Sequence, residues 1–404
     1  MKRAETGILI SGGGIAGLTA AAAFGSAGFE VICVDPAPPP QSEAASDADL
    51  RSTAFLQPSV SVLEEAGIWQ HLAPHAAALQ VMRIVDAGKA DAGGTNATAR
   101  IIRDFDATEI SDQPFAWNLP NWLLRREIAA RLAKLPNVTF RAGIGTKGLM
   151  TRDSEALVTL SDGSQVAARL LIAADGRHSA MRDALNIPVK TIRYGQKALV
   201  FSVTHDLPHD NVSTEVHRSG GPFTMVPLPD RDGRHASSVV WMEHGPEATR
   251  LAALPEAEFE AEMNARSCGI LGGMQLATRR LVWPIISQVA QRLSGQRSVL
   301  MAEAAHVVPP IGAQGLNMSL KDLRVLLDLV KGSGGDPGVQ NVLDAYHWAR
   351  HRDITLRVGG IDMLNRASMA GAPALRALRS GMLGMLYALP PVRQGLMRAG
   401  LGVS

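Results

Sequence analysis

Apolar residues open the chain as two short runs separated by glycine. In GILISGGGIAGLTAAAAFGSAGFEVICVDP, Ile8–Ile10 and Val31–Val34 are continuous and apolar, and Leu18–Ala27 between them is built of small residues. Short apolar runs bounded by glycine read as buried strands, and the longer small-residue stretch reads as a helix. The pattern predicts strand, turn, helix, strand, a βαβ unit whose crossover is right-handed.

The pattern then changes character along the chain. Pro36–Pro40 interrupt regular structure, and residues 36–50 read as a loop. Ser59–Ala66 look helical, and residues 88–99 form a loop between two strand-like runs. In NWLLRREIAARLAKLP, Leu124, Ile128, Leu132 and Leu135 keep helical spacing, with Pro136 just past the end. ALVTLSDGSQVAARLLIAADG reads as a hairpin turning at Asp162-Gly163, followed by a buried strand over Leu170–Ala174. Residues 197–245 alternate as strands, with turn signals at Gly220-Gly221 and Asp232-Gly233. This β-rich block differs from its flanks and reads as a second domain inserted into the first. Beyond about residue 345 the pattern is helical to the end. No internal repeat is visible.

Composition narrows the function classes. A chain of 404 residues with 46% hydrophobic content has the length for two or three domains with sizeable cores. Forty basic residues against 38 acidic ones, and 4% aromatics, argue against a nucleic-acid binder. Cys33 and Cys268 show neither CxxC nor zinc spacing, so neither a disulfide framework nor a metal site is expected. A cytoplasmic location follows as the simplest expectation. Residues 7–34 are nearly free of charge, but glycines divide them, so neither a signal peptide nor a membrane span is expected there.

Gly12-x-Gly14-x-x-Gly17 follows a strand, opens a helix and is followed by Asp35 at the end of the next strand. That context turns a weak motif into a dinucleotide fingerprint. Gly12 permits the tight turn, Gly14 lets a pyrophosphate approach the backbone, and Gly17 lets helix and strand pack. The free N–H groups of the first helical turn, at Ile15 and Ala16, favour phosphate. Asp35 suits a ribose 2′-hydroxyl and disfavours a 2′-phosphate, so FAD or NAD is expected rather than NADP.

A second motif, LLIAADGRHSAMR, carries Asp175-Gly176, Ser179 and Arg182, and on its own reads as a turn with a helix cap. A third, AEAAHVVPPIGAQGLN over Ala302–Asn317, runs into a helix with a Leu316, Leu320, Leu323, Leu327 stripe. In this order the three resemble the single-component flavin aromatic hydroxylases, the p-hydroxybenzoate-hydroxylase-like family, over most of the chain. One departure stands out: the family's Gly-Asp is Ala302-Glu303 here.

The resemblance implies an α/β fold with a Rossmann-like FAD-binding domain of the glutathione-reductase type, an inserted β-rich substrate domain and a helical C-terminal tail. The FAD-binding part would take residues 1–78, 112–183 and 284–350, the substrate part 79–111 and 184–283, and the tail 351–404. It implies FAD as cofactor, NADH or NADPH as electron donor, and dioxygen added at the flavin C4a before transfer to an electron-rich ring. FAD would be held by Gly12, Gly14, Ile15, Ala16, Gly17, Asp35, Asp175, Glu303, Pro310, Gly312, Gly315, Leu316 and Asn317. Arg51 and Arg125 match the arginines with which the family contacts FAD. The helix after Gly315 would stabilise negative charge on the reduced ring. His306 is expected to pack and hydrogen-bond beside the cofactor. Phe223, Met225 and Trp241 are expected as substrate wall, with ordinary sheet core the competing reading. No proton-transfer residue can be named.

Within the family the chain is most similar to bacterial ubiquinone-biosynthesis hydroxylases, through PPIGAQGLN, DLRSTAFLQPS, ISDQPFAWNLPNWLLRRE and LYALPPVRQGLMRAGLG. This implies hydroxylation of a polyprenylated phenol, a lipophilic aromatic substrate. The rival readings are a hydroxylase of a soluble aromatic or secondary metabolite, a flavin reductase, and a non-catalytic flavin-binding partner subunit. The tail, apolar with spaced arginines, reads equally as a helix capping the FAD domain or as a contact with the inner membrane or with a quinone-synthesising assembly.

Overall fold

The structure, a computed structural model, describes residues 3–87, 101–218, 220–369 and 390–401. The loop expected over 88–99 and residues 370–389 of the expected tail lie outside the described residues. The first strand, Arg3–Ser11, pairs in parallel with Val31–Asp35 on one side and Gln165–Ala173 on the other. Val138–Ala142 and Ser298–Leu300 extend this sheet in parallel. Its apolar runs are buried on both faces, with Ile8, Leu9, Ile10, Leu170, Leu171 and Ile172 all without exposed surface, as a covered parallel sheet requires. The helix Ile15–Ser26 packs on it through an almost wholly buried run of small residues.

A second sheet, nine-stranded, is organised around one strand of 17 residues, Val189–His205. Residues 189–193 of this strand pair with 286–290, and residues 196–205 pair with 235–244. Between them the register shifts, at a bulge where Gly195 takes φ +71°. The strand Leu281–Ala290 crosses the boundary expected at residue 283, and His306–Val307 adds to the sheet's edge. A small third sheet joins Ser52–Leu56, Ala116–Pro120 and Ala77–Leu79.

The second sheet has two covered faces of different kind. One packs against the helices Gly245–Ala253 and Glu256–Ser267 through Leu199, Phe201, Phe223, Met225, Val239, Trp241, Phe259 and Met263. The other carries Ala198, Val200, Val240, Met242, Trp283 and Ile285, and Ile311 packs on it. The helix Gln340–Met369 runs through the boundary expected at 350. Its buried residues, from Val342 to Asn365, lie against the body of the protein.

Candidate active site

The carboxyl ends of the parallel strands place the first two motifs side by side, as open α/β sheets do. Gly12 has φ +108°, and a Cβ there would meet the Ala174 carbonyl oxygen at 2.3 Å, so the glycine turn and the Asp175 segment touch through backbone. A Cβ on Gly17 would lie 1.9 Å from the Gly12 carbonyl oxygen, which is why helix and strand need glycine to pack this closely. The helix begins at Gly14 with no side-chain cap and no acid in its first turn. Its first N–H groups are therefore available to an anion.

Asp35 sits at the rim of this turn. Its carboxylate accepts from the Gly13 and Ala37 N–H groups and lies 3.6 Å from the Arg125 guanidinium. Arg125 in turn donates to the Gly13 and Ala37 carbonyls at 3.0 Å each. A carboxylate has about four acceptor sites, so Asp35 keeps capacity for a ribose hydroxyl.

Asp175 is committed to its own turn. It accepts from the Ser179 hydroxyl and from the Met181 N–H at 3.1 Å, and Ser179 caps the helix Ala180–Ala184. Burial raises its carboxyl above the usual range, against those hydrogen bonds. Arg177, a residue not singled out in the sequence, pairs with Glu303 at 3.2 Å and so ties the second motif to the third.

The third motif is shaped by two left-handed non-glycine residues, with Gly312 at φ +61° beside the second. Ala302, where the family pattern has glycine, takes φ +55°, a conformation that costs a non-glycine residue about 1–2 kcal/mol. Its N–H donates to the Asp322 carboxylate at 3.2 Å. Ala313, φ +54°, begins the helix Gln314–Lys331, which again has no side-chain cap and no acid in its first turn. Asn317 fixes that helix start. Its Nδ2 donates to the Ala54 and Ala313 carbonyls at 2.8 and 2.6 Å, and its Oδ1 accepts from Leu56 N–H at 3.0 Å. Pro310, Gly312 and Gly315 are exposed around this turn, and Leu316 is half-buried.

Arg51 lies nearby, paired with Asp49 at 2.7 Å and stacked 4.5 Å over the Trp283 ring. Its charge also reaches Glu303. The structure thus brings Gly12, Asp35, Arg125 and Asp175 together on one side, and Arg51, Glu303 and Asn317 on the other, joined by Arg177. Two uncapped helix starts and glycines at the points of closest approach fit a dinucleotide carrying a pyrophosphate and an anionic ring edge.

Phe223, Met225 and Trp241, expected either as substrate wall or as sheet core, lie in sheet core. They point to the helix-covered face and form its core, with Phe223 and Trp241 in edge contact at 5.4 Å. Their neighbours along the strand lie on the other face, against which Ile311 packs: Val240 opposite Val200, and Met242 opposite Ala198. A one-residue step along a strand changes the face.

His306 belongs to a buried network that sequence reasoning missed. Its Nε2 donates to Asp322 at 2.7 Å, and Arg350 Nε donates to the same carboxylate at 2.8 Å. All three side chains are almost fully buried. Burial would raise the Asp322 carboxyl, but His306 and Arg350 hold it below the usual range. Among the described residues no cluster of three or more histidine, cysteine or acidic side chains could hold a metal ion.

The FAD binding domain family matches residues 5–357. Ubiquinone hydroxylase UbiL of Rhodospirillum rubrum is 31% identical over 98% of this chain and 89% of its own length. The 3-demethoxyubiquinol 3-hydroxylase of Escherichia coli is 26% identical over 96% of each chain. Among solved structures, p-nitrophenol 4-monooxygenase PnpA of Pseudomonas putida superposes with a TM-score of 0.79 at 20% identity, over 99% of both chains, a likeness of fold.

Proposed function

Because the chain belongs to the FAD binding domain family, we propose that it is an FAD-dependent monooxygenase that hydroxylates the ring of a polyprenylated phenol in ubiquinone biosynthesis. When bound, FAD supplies the transfer of electrons from NAD(P)H and the activation of dioxygen. The protein's part is to hold cofactor and ring and to exclude water. Gly12, Gly14, Gly17 and the first turn at Ile15 and Ala16 take the pyrophosphate, and Asp35 takes the ribose. Arg125 holds Asp35 and the glycine turn in place. Arg51, Asp175 and Glu303 line the path between the two helix starts. Pro310, Gly312, Gly315, Leu316 and Asn317 form the turn for the flavin ring.

The observation that carries the substrate reading is the apolar sheet face beside that turn. Ala198, Val200, Val240, Met242, Trp283 and Ile285, with Ile311 against them, are apolar; the polar groups beside them are committed elsewhere, Arg51 to Asp49 and Tyr194 to Ser287 and Asp362. A lipophilic ring loses little by desolvation there, and water is kept out. The domain division follows the sheets: the parallel sheet binds FAD and the nine-stranded sheet receives substrate. No described helix is long and apolar enough to cross a membrane, and the substrate's chain would be met at a bilayer surface.

The test is deletion of the gene in a host with no second hydroxylase for the step, followed by mass spectrometry of lipid extracts. Loss of ubiquinone with build-up of a prenylated phenol short of one or more ring oxygens is expected. An unchanged quinone pool would move the reading to a soluble aromatic substrate.

A further inference from the structure

The three most exposed large hydrophobic side chains among the described residues lie on one helix, Gln340–Met369. They are Trp348 at 72%, Leu356 at 69% and Met363 at 68%. Spacings of eight and seven residues put them on a single face. Ala345, Ala349, Gly359, Gly360 and Ala367 are exposed between and beside them, and Arg352 and Arg366 are the long polar side chains along the stripe. The opposite face, with Leu343, Tyr346, Arg350, Ile354, Val358 and Ile361, is the buried one. Folding therefore already uses the helix's inner side, and packing among the described residues does not explain the outer stripe. Exposed apolar groups clustered in this way mark an interaction surface.

Charge identifies the occupant. The exposed charges along the stripe are Arg352 and Arg366. The helix's three acids, Asp344, Asp353 and Asp362, are each paired with a base at its flanks. From Met363 to Ser404 the sequence holds five arginines and no acid. Two of these are paired, Arg366 with Asp362 and Arg393 with Glu109. A second copy of the chain is a poor fit, because a two-fold contact would set this acid-free, arginine-bearing stripe against itself. A bilayer with anionic headgroups satisfies both features: Trp348 suits the headgroup boundary, Leu356 and Met363 suit the acyl edge, and arginines suit the headgroups.

We propose that the outer face of Gln340–Met369, centred on Trp348, Leu356 and Met363, is a docking surface for an anionic lipid bilayer. This rests on the prenylated-substrate reading for its purpose, since it would bring the protein to the phase in which such a substrate dissolves.

The experiment is co-sedimentation of the full-length FAD-loaded protein with vesicles of phosphatidylcholine, with and without phosphatidylglycerol. The triple variant Trp348→Ser, Leu356→Ser, Met363→Ser and the single variant Arg352→Glu are compared with wild type. All four positions are exposed, so flavin content and thermal melting should stay at wild-type level, and both are checked. Wild type should bind only the anionic vesicles, less at higher salt, and the triple variant should bind at least about tenfold more weakly. Equal binding by wild type and triple variant, or no binding by wild type, overturns the proposal. So does a wild-type dimer by light scattering that the triple variant splits. Turnover of a short-tailed, water-soluble phenol separates the two readings. Its retention by the triple variant leaves the enzyme reading intact, whereas its absence in wild type with vesicle binding intact faults the enzyme reading and spares the surface.

Discussion

Replacing Gly14 by alanine should separate folding from cofactor binding. Gly14 has φ −69° and ψ 177°, which alanine adopts freely, and a Cβ placed there meets no protein atom within 4 Å. The FAD-free protein should therefore keep its stability, or gain about 0.4–1 kcal/mol because the unfolded chain loses freedom. A bound pyrophosphate, however, would have to withdraw from the helix start. Losing one charge-assisted hydrogen bond costs about 1.5–3 kcal/mol, which is roughly a 10- to 150-fold rise in Kd. Gly17→Ala is the contrast. Its Cβ would sit 1.9 Å from a backbone oxygen, so strand and helix must part and the FAD-free protein itself should melt earlier, by about 1–3 kcal/mol or more. Thermal melting of the stripped proteins and titration of FAD by its fluorescence read the two quantities separately. Wild-type FAD affinity in Gly14→Ala would refute the placement of the pyrophosphate. A destabilised stripped Gly14→Ala would refute the claim that the space is kept for a ligand.

Other outcomes follow from the buried groups. Asp322→Ala strands Arg350 and His306 away from water, and unfolding should become easier by about 3–5 kcal/mol, measured by urea titration. Asp353 is pushed up by its partial burial, but Arg350, Lys321 and Arg357 outweigh this and hold its pKa at about 2, below the ordinary 3.8. Because the folded value is the lower one, its contribution is complete above pH 3.8 and is lost as pH falls towards 2. Asp353→Asn should flatten the acid side of the stability profile over that window. Phe223→Leu should cost about 1–3 kcal/mol of stability and leave KM unchanged, while Val240→Phe on the other face should raise KM for the aromatic substrate at similar stability.

The βαβ unit, the glycine turn and the helix at the third motif were legible because each is written locally, in runs and breaks a few residues apart. The face of the inserted sheet was not. In SSVVWMEH both Val240 and Trp241 are apolar, and both faces of the sheet are covered, so alternation marks two buried sides without saying which meets the cofactor. The Asp322 network was illegible for another reason. His306 and Arg350 stand 16 and 28 residues from Asp322, on separate elements, and no spacing rule links them. Ala302 was visible as a departure, but its left-handed backbone was not; only the structure shows why glycine is the usual residue there.

The 17-residue strand Val189–His205 spans ~55 Å at the rise of an extended chain. All its ladders lie in the nine-stranded sheet, whose strands it joins on either edge with no irregularity other than the bulge at Gly195. It therefore acts as a beam rather than a linker. The nine-stranded sheet cannot bend across residues 197–205 without unzipping ladders on both edges of this strand, a cost far above that of ordinary hinge motion. Amide exchange should accordingly be among the slowest in the protein over residues 197–205, which are mostly buried, and faster over 189–193, which pair on one edge only.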